Sequence, residues 1–211
     1  MDSINYFNSI AKEWDDIRKK YFDDDIRNIA IELSKLKRKN DFTVADIGTG
    51  SGFMALELSK YARTVIGIDV SEQMLKCAKQ TADKLGINNM IFLKGSMEEI
   101  PIIDDSIDIV FTNMALHHVE NPFKGIMEIH RILKYGGSLV ITDVMKHNNE
   151  WARFEMYDRW LGFNLGDIEK WLIRSNFKEI LVKETDLYAT AKSSKGETAK
   201  TGIFIAKGTK K

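Results

Sequence analysis

Five short runs rich in valine and isoleucine, separated by amphipathic segments, limit the folds open to this chain more than any other feature. They lie at 43–47, 64–69, 90–93, 107–112 and 138–143. Most are apolar throughout rather than alternating, which is the pattern of parallel strands covered on both faces. Between them the spacing predicts helices over 52–61, 72–85 and 122–133. Ser71 stands where an N-cap is needed for the second, and Gly86 where it must stop. The third has Asn121 at its N-cap, Pro122 in its first turn and Gly136 and Gly137 beyond its end. Strand–helix–strand repetition with right-handed crossovers gives a doubly wound α/β sheet.

The flanks read differently. Residues 4–37 are helical in pattern, with Phe7, Ile10, Ala11, Trp14 and Ile17, then Ile26, Ile29, Ala30 and Leu33, at spacings of three and four. After the fifth strand, "NNEWARFEMYDRWLGF" and "GDIEKWLIRSNF" read as two helices, and "FKEILVKETDLY" and "TGIFIAK" as two late strands joined by a long loop over 190–200. With 211 residues and no repeat or proline-rich linker, the expectation is one domain over 1–211. Within it, 1–40 would be a helical cap, 41–145 the ligand-binding core, and 146–211 late helices with a final hairpin.

Composition removes several classes of function. Lys plus Arg equals Asp plus Glu, 31 each, so no basic surplus argues for nucleic acid. The basic residues near the end (Lys192, Lys195, Lys200, Lys207, Lys210, Lys211) read as a solvated edge and a frayed terminus. A single cysteine, Cys77, excludes an internal disulfide framework and a cysteine-based metal cluster. The opening "MDSINYFNSIAKEWDD" is polar and acidic rather than signal-like, and no apolar run approaches a membrane span. The expectation is a soluble cytoplasmic protein, a monomer or homodimer, with no nucleic-acid or membrane partner.

The first strand ends in "VADIGTGSG". Glycines at the carboxyl end of a strand let the backbone turn sharply and let a ligand approach without meeting a Cβ. The bland reading is an ordinary strand-to-helix turn. Two details favour a ligand and narrow it. The spacing Gly48-x-Gly50-x-Gly52 is not the G-x-G-x-x-G of dinucleotide sites. Asp46, two residues before the first glycine, repels a pyrophosphate and attracts a cationic amino-acid headgroup. A second acid, Asp69, ends the second strand, where it suits the two hydroxyls of a ribose or, more blandly, a helix N-terminus. These features count against a nicotinamide-dependent oxidoreductase. A binding module without turnover stays open.

Four ordered segments, "VADIGTGSGFMALELSK", "VIGIDVSEQMLKCAKQ", "GSMEEIPIIDDSIDIVFTNMALHHVENP" and "EIHRILKYGGSLVITDV", resemble the successive motifs of class I S-adenosylmethionine-dependent methyltransferases. Within that class the likeness is to the small-molecule branch that includes the ubiquinone/menaquinone methyltransferases, and it runs in register over 43–144. The resemblance implies a Rossmann-like seven-stranded sheet of order 3-2-1-4-5-7-6 with the last strand antiparallel. It implies S-adenosylmethionine as cofactor, S-adenosylhomocysteine as product, and a small-molecule methyl acceptor. The N-terminal helix would lie over the cofactor as a lid.

Carried over residue by residue, the resemblance puts Asp46, Gly48, Thr49 and Gly50 around the methionine part of the cofactor and Asp69 on the ribose. Val70 and Met74 would flank the adenine, although Met74 equally fits a core stripe with Leu75, Ala78, Ala82 and Leu85. Ser96 stands where the family usually has an acid for the adenine amino group, so that contact loses charge assistance. Met97 would pack on the adenine, and Asn113 would lie near the methyl-donor sulfur. His117 and Asp143 are the candidate bases. No metal site is expected, because the adjacent His117 and His118 should point apart. His130 and His147 read as structural or surface residues, and Asp104 and Asp105 as turn residues. Trp151, Phe154, Tyr157 and Trp160, with Tyr6, Trp14 and Tyr21, read as packing or as parts of an acceptor pocket.

Overall fold

The computed structural model describes residues 3–37 and 41–211, so the expected cap boundary at residue 40 lies outside the described residues. The chain begins with helices α1 (Ser3–Ile10), α2 (Trp14–Tyr21) and α3 (Asp25–Ser34). Strands β1 (Thr43–Ile47), β2 (Thr64–Asp69), β3 (Met90–Lys94), β4 (Ile107–Asn113) and β5 (Leu133–Val144) then alternate with α4 (Phe53–Leu58), α5 (Glu72–Lys84) and α6 (Pro122–Ile132). A single turn α7 (Ala152–Glu155), helix α8 (Leu165–Arg174) and the hairpin β6 (Phe177–Lys192) and β7 (Thr198–Lys210) complete it.

The seven strands form one sheet of order β3-β2-β1-β4-β5-β7-β6. Strands β1 to β5 pair in parallel, and β7 runs antiparallel to both of its neighbours. The reversal at β1, between β2 and β4, is the switch point where doubly wound sheets bind ligands.

Alternation along the strands feeds two cores. Ala45, Ile47, Val110, Leu139, Ile141, Phe204 and Ala206 join Ile126 and Ile129 of α6 and Ile168 and Leu172 of α8 on one face. Val44, Val65, Ile109, Phe111, Val140 and Ile205 join Ala30 and Ile31 of α3 and Met54, Ala55 and Leu58 of α4 on the other. Each of the larger side chains, Val, Leu, Ile, Phe and Met, contributes ~1.5–3 kcal/mol when fully buried. Both predicted caps form: the Met74 amide donates to Ser71 Oγ at 3.1 Å, and the Lys124 amide to Asn121 Oδ1 at 3.1 Å.

Several expectations need correction. The stretch 148–163 holds only one helical turn. Tyr157 takes φ +59°, and the amides of Arg159 and Trp160 donate to the His117 carbonyl at 3.1 and 3.0 Å, so a tertiary partner replaces the helix's own. The loop expected over 190–200 is mostly ladder: Thr190 pairs with Lys200 and Lys192 with Thr198. The terminus is not frayed, because β7 lies inside the sheet and Lys210 Nζ binds Asp105 Oδ1 at 2.7 Å. Leu85 is 64% exposed and leaves the α5 stripe, whereas Met74, Leu75, Ala78 and Ala82 are buried.

Candidate functional site

The turn after β1 is built for close approach. Gly48 has φ +78°, and a Cβ there would lie 2.4 Å from the Ala115 Cβ; Gly50 has φ +53°. The amides of Gly48 and Thr49 donate to the Ile68 carbonyl at 2.8 and 2.9 Å, tying the turn to β2. Asp46 is buried beneath it. Its Oδ2 accepts from Thr49 Oγ1 at 2.7 Å and from the Ala55 amide at 3.1 Å. Burial pushes its pKa up to about 7 against those hydrogen bonds, with a further push from Asp69. Asp69 accepts one amide on each oxygen, Gly50 on Oδ2 and Ser71 on Oδ1, both at 2.8 Å. Burial raises its pKa too, opposed by those amides. Each carboxylate oxygen keeps acceptor capacity for a ligand hydroxyl.

A cavity of about 320 Å³ opens over this turn. Asp46, Gly48, Thr49, Gly50, Asp69, Val70, Met74, Ser96, Met97 and Asn113 all line it. Its size falls within the range of small-molecule and cofactor pockets, ~300–1,000 Å³. Ser96 Oγ accepts from the Glu98 amide at 3.1 Å, and Asn113 Oδ1 accepts from Thr142 Oγ1 at 2.6 Å.

The N-terminal helices close the cavity from outside. Phe7, Trp14, Arg18 and Phe22 line it. Asn8 Oδ1 accepts from Ser71 Oγ at 2.7 Å, docking α1 onto the start of α5. Ser51 Oγ donates to Asp15 Oδ1 at 2.5 Å, docking α2 onto the glycine turn. Arg18 was not anticipated from the sequence. It is 5% exposed, its guanidinium carbon lies 3.7 Å from the Phe53 ring centroid, and Nη2 binds Asp24 Oδ1 at 3.1 Å. Its Nε and Nη1 are buried with no hydrogen-bond partner.

A smaller second cavity adjoins the first. Trp14, Phe22, Met114 and His118 line both. Tyr21, His117, His147, Trp151 and Asp158 line the second. Phe154, 77% exposed, lies outside both cavities, as does Trp160; Tyr157 stacks on Tyr6 at 4.7 Å between centroids. Met114, between β4 and the turn that carries the histidines, takes φ +50°.

His117 and Asp143 are in contact, Nδ1 to Oδ1 at 2.6 Å. Asp143 is fully buried, accepts the amides of Leu116 at 2.9 Å and Val144 at 2.7 Å, and lines neither cavity. It reaches the cavity only through His117. Burial alone would depress His117, but Asp143 and Asp158 reverse this and hold it at about 9. Burial and the His117 charge hold His118 well below the usual imidazole range. The two rings do not point apart: a short 3₁₀ turn over Leu116–His118 brings their centroids to 4.0 Å. Asp158, 6% exposed and held at about 6 chiefly by burial, completes this polar end. Its position depends on the irregular backbone after α7, for which the sequence carries no signal.

Residues 45–141 match the family model described as a methyltransferase domain. The chain is 32% identical over 116 residues to the uncharacterized methyltransferase YcgJ of Bacillus subtilis, covering 55% of this chain and 46% of that protein. It is 30% identical over 154 residues to the ubiquinone/menaquinone biosynthesis C-methyltransferase UbiE of Rickettsia peacockii, covering 69% and 61%. The chain therefore spans about half to three-fifths of the length of these curated relatives. Among solved structures, a SAM-dependent methyltransferase from Aquifex aeolicus matches with TM-score 0.69 and 26% identity over 95% of this chain and 97% of that one.

Proposed function

We propose that this chain, whose residues 45–141 match the methyltransferase domain model and whose sheet has the order β3-β2-β1-β4-β5-β7-β6, binds S-adenosylmethionine in the larger cavity and methylates a small molecule held in the smaller one. The observation that carries this is the pair of acids, Asp46 and Asp69, ending adjacent parallel strands on either side of a glycine turn in one cavity. The residues fit such a cofactor. Asp69 offers two oriented oxygens to a ribose. Gly48 and Gly50 leave room that a Cβ would fill. Asp46 faces the cavity with a carboxyl whose ionised form a cationic amino acid would favour. Arg18 brings unpartnered, buried N–H groups that suit the carboxylate of that amino acid.

The cofactor supplies, when bound, a methyl group already activated on a sulfonium. The chain's task is to align an acceptor and exclude water. Aromatic side chains over both cavities serve exclusion, with α1 and α2 acting as a lid. His117, oriented by Asp143, presents its Nε2 side at the polar end of the second cavity. There it positions the polar group of the acceptor, and Asp143 acts through it.

The relatives named for quinone biosynthesis support a small, partly apolar acceptor. So does a second cavity lined by Trp14, Tyr21, Trp151 and Met156. Calorimetry with S-adenosylmethionine, S-adenosylhomocysteine and NADH tests the ligand: heat with the first two and none with NADH is expected. Release of S-adenosylhomocysteine from a metabolite panel tests turnover. No binding of either adenosyl ligand overturns the reading.

A further inference from the structure

We propose that His117, His118 and Asp158 form a binding site for a divalent transition-metal ion of the zinc class, at the polar end of the second cavity. This goes beyond the cofactor reading and does not rest on it.

The ligand atoms of these three residues lie within 4.8 Å of one another. Asp158 Oδ1 stands 3.8 Å from His117 Nε2 and 3.7 Å from His118 Nδ1. Both separations are too long for a hydrogen bond, and Asp158 Oδ1 is buried with no partner. The His117 ring stands close enough for its charge to be felt, yet no donor fills the lone pairs of this oxygen, which is costly inside a protein. A proton on His117 Nε2 cannot span 3.8 Å. A cation bound at ~2.0–2.2 Å from each donor can lie between atoms that far apart.

The surroundings are those of a metal ligand set. His117 Nδ1 donates to Asp143 Oδ1 at 2.6 Å, which fixes the ring with Nε2 facing Asp158, where a metal ion would take the place of the Nε2 proton. A carboxylate behind a histidine is the usual support for a metal-bound imidazole. Asp143 is itself pinned by the amides of Leu116 and Val144. The 3₁₀ turn puts both imidazoles on one side, which neither a strand nor an α-helix does for adjacent residues. His118 Nδ1 now lies 3.3 Å from the Tyr157 carbonyl. Coordination replaces that long contact and leaves the ring proton on Nε2. Two imidazoles and one carboxylate favour zinc, cobalt, nickel or iron over magnesium or calcium. Three protein ligands leave a position toward the cavity that Trp14, Tyr21 and Trp151 also line, where an anionic oxygen or sulfur ligand completes the shell.

The test uses the full chain, freed of metal with a chelator and kept without S-adenosylmethionine. Titration with Co²⁺ is followed by its visible absorption, and Zn²⁺ is then added to displace it. The expected result is one equivalent bound, displaced by Zn²⁺. Asp158→Asn and His118→Gln should each weaken binding at least tenfold, and Asp143→Asn should weaken it ~10–100-fold with unchanged stoichiometry. Circular dichroism and melting accompany each variant. Should Asp158→Asn not fold, His118→Gln, at the less buried member, decides the matter. The proposal is overturned if the wild type binds neither ion stoichiometrically, or if binding survives both ligand substitutions unchanged.

Discussion

Arg18 is a charged side chain held out of water with one ionic partner and two idle nitrogens. Buried charges with incomplete partnering cost stability, and replacing one by an apolar side chain of similar reach is often neutral or stabilising. The same incompleteness is useful if a ligand carboxylate supplies the missing acceptor. The two readings of Arg18 therefore separate by experiment. Arg18→Met should leave the melting temperature of the ligand-free chain unchanged or raised. It should weaken S-adenosylmethionine binding by roughly thirtyfold or more, in line with the ~2–5 kcal/mol lost when one member of a buried charge pair is removed. Calorimetry alongside thermal melting checks both arms. If stability falls and affinity does not, Arg18 is a packing residue on Phe22 and Phe53. In the sequence Arg18 is one of several basic residues in "IRKKYF", and nothing there distinguishes it from a solvated neighbour. Its burial comes from Phe53, thirty-five positions on.

At the scale of elements, α1 is a docked piece rather than a part of the core. It has eight residues and buries none of them. A helix that short does not hold itself together in water. What holds it is Asn8 on Ser71 and the Gln73 amide, together with Phe7 against Trp14 and His118, at 5.5 and 4.9 Å between centroids. Deleting residues 1–10 should shift the melting temperature by only a few degrees. It should speed dissociation of S-adenosylhomocysteine at least tenfold, measured by stopped-flow mixing. Unchanged dissociation would remove the lid from the account.

The elements that sequence pattern reveals are those governed by local rules. The strands β1 and β2 coincide with their predicted spans, because continuous apolar runs leave one way to be buried. Asp46, Asp69 and the glycine turn were legible for the same reason, since a backbone turn restricts residue type within a few positions. The far end of the β6–β7 ladder was not, because Thr190, Lys192 and Lys200 are polar yet gain partners across the hairpin. The single turn α7 has the pattern of a full helix, because aromatic spacing mimics helical periodicity while the His117 carbonyl takes the amides that would have extended it. Asp158 and the convergence of the two histidines depend on that same irregular segment.

Across the whole molecule the positive and negative charges cancel, 31 against 31. General charge repulsion therefore contributes little near neutrality, and individual buried acids dominate the response to pH. Asp46 is the clearest. Its carboxyl moves from an ordinary 3.8 to about 7 on folding, mainly through burial. Between those values the folded chain holds a proton that the unfolded chain has released, so stability falls as pH rises from about 4 to about 7 and levels off above. Asp69 is pushed in the same direction. Each tenfold change in proton affinity is worth ~1.4 kcal/mol, so the loss amounts to several kcal/mol in full. Asp46→Asn removes the titrating group while its amide oxygen still accepts from Thr49 and Ala55. The variant should therefore gain stability relative to wild type as pH rises through this window, measured by urea unfolding at intervals between pH 4.5 and 7.5. A cationic ligand favours the ionised carboxylate, so wild-type affinity for S-adenosylmethionine should tighten with pH through 7, while the variant's stays flat. Parallel stability curves for the two proteins would mean that Asp46 is already ionised in the folded chain, and that the cavity offers its charge without a protonic cost.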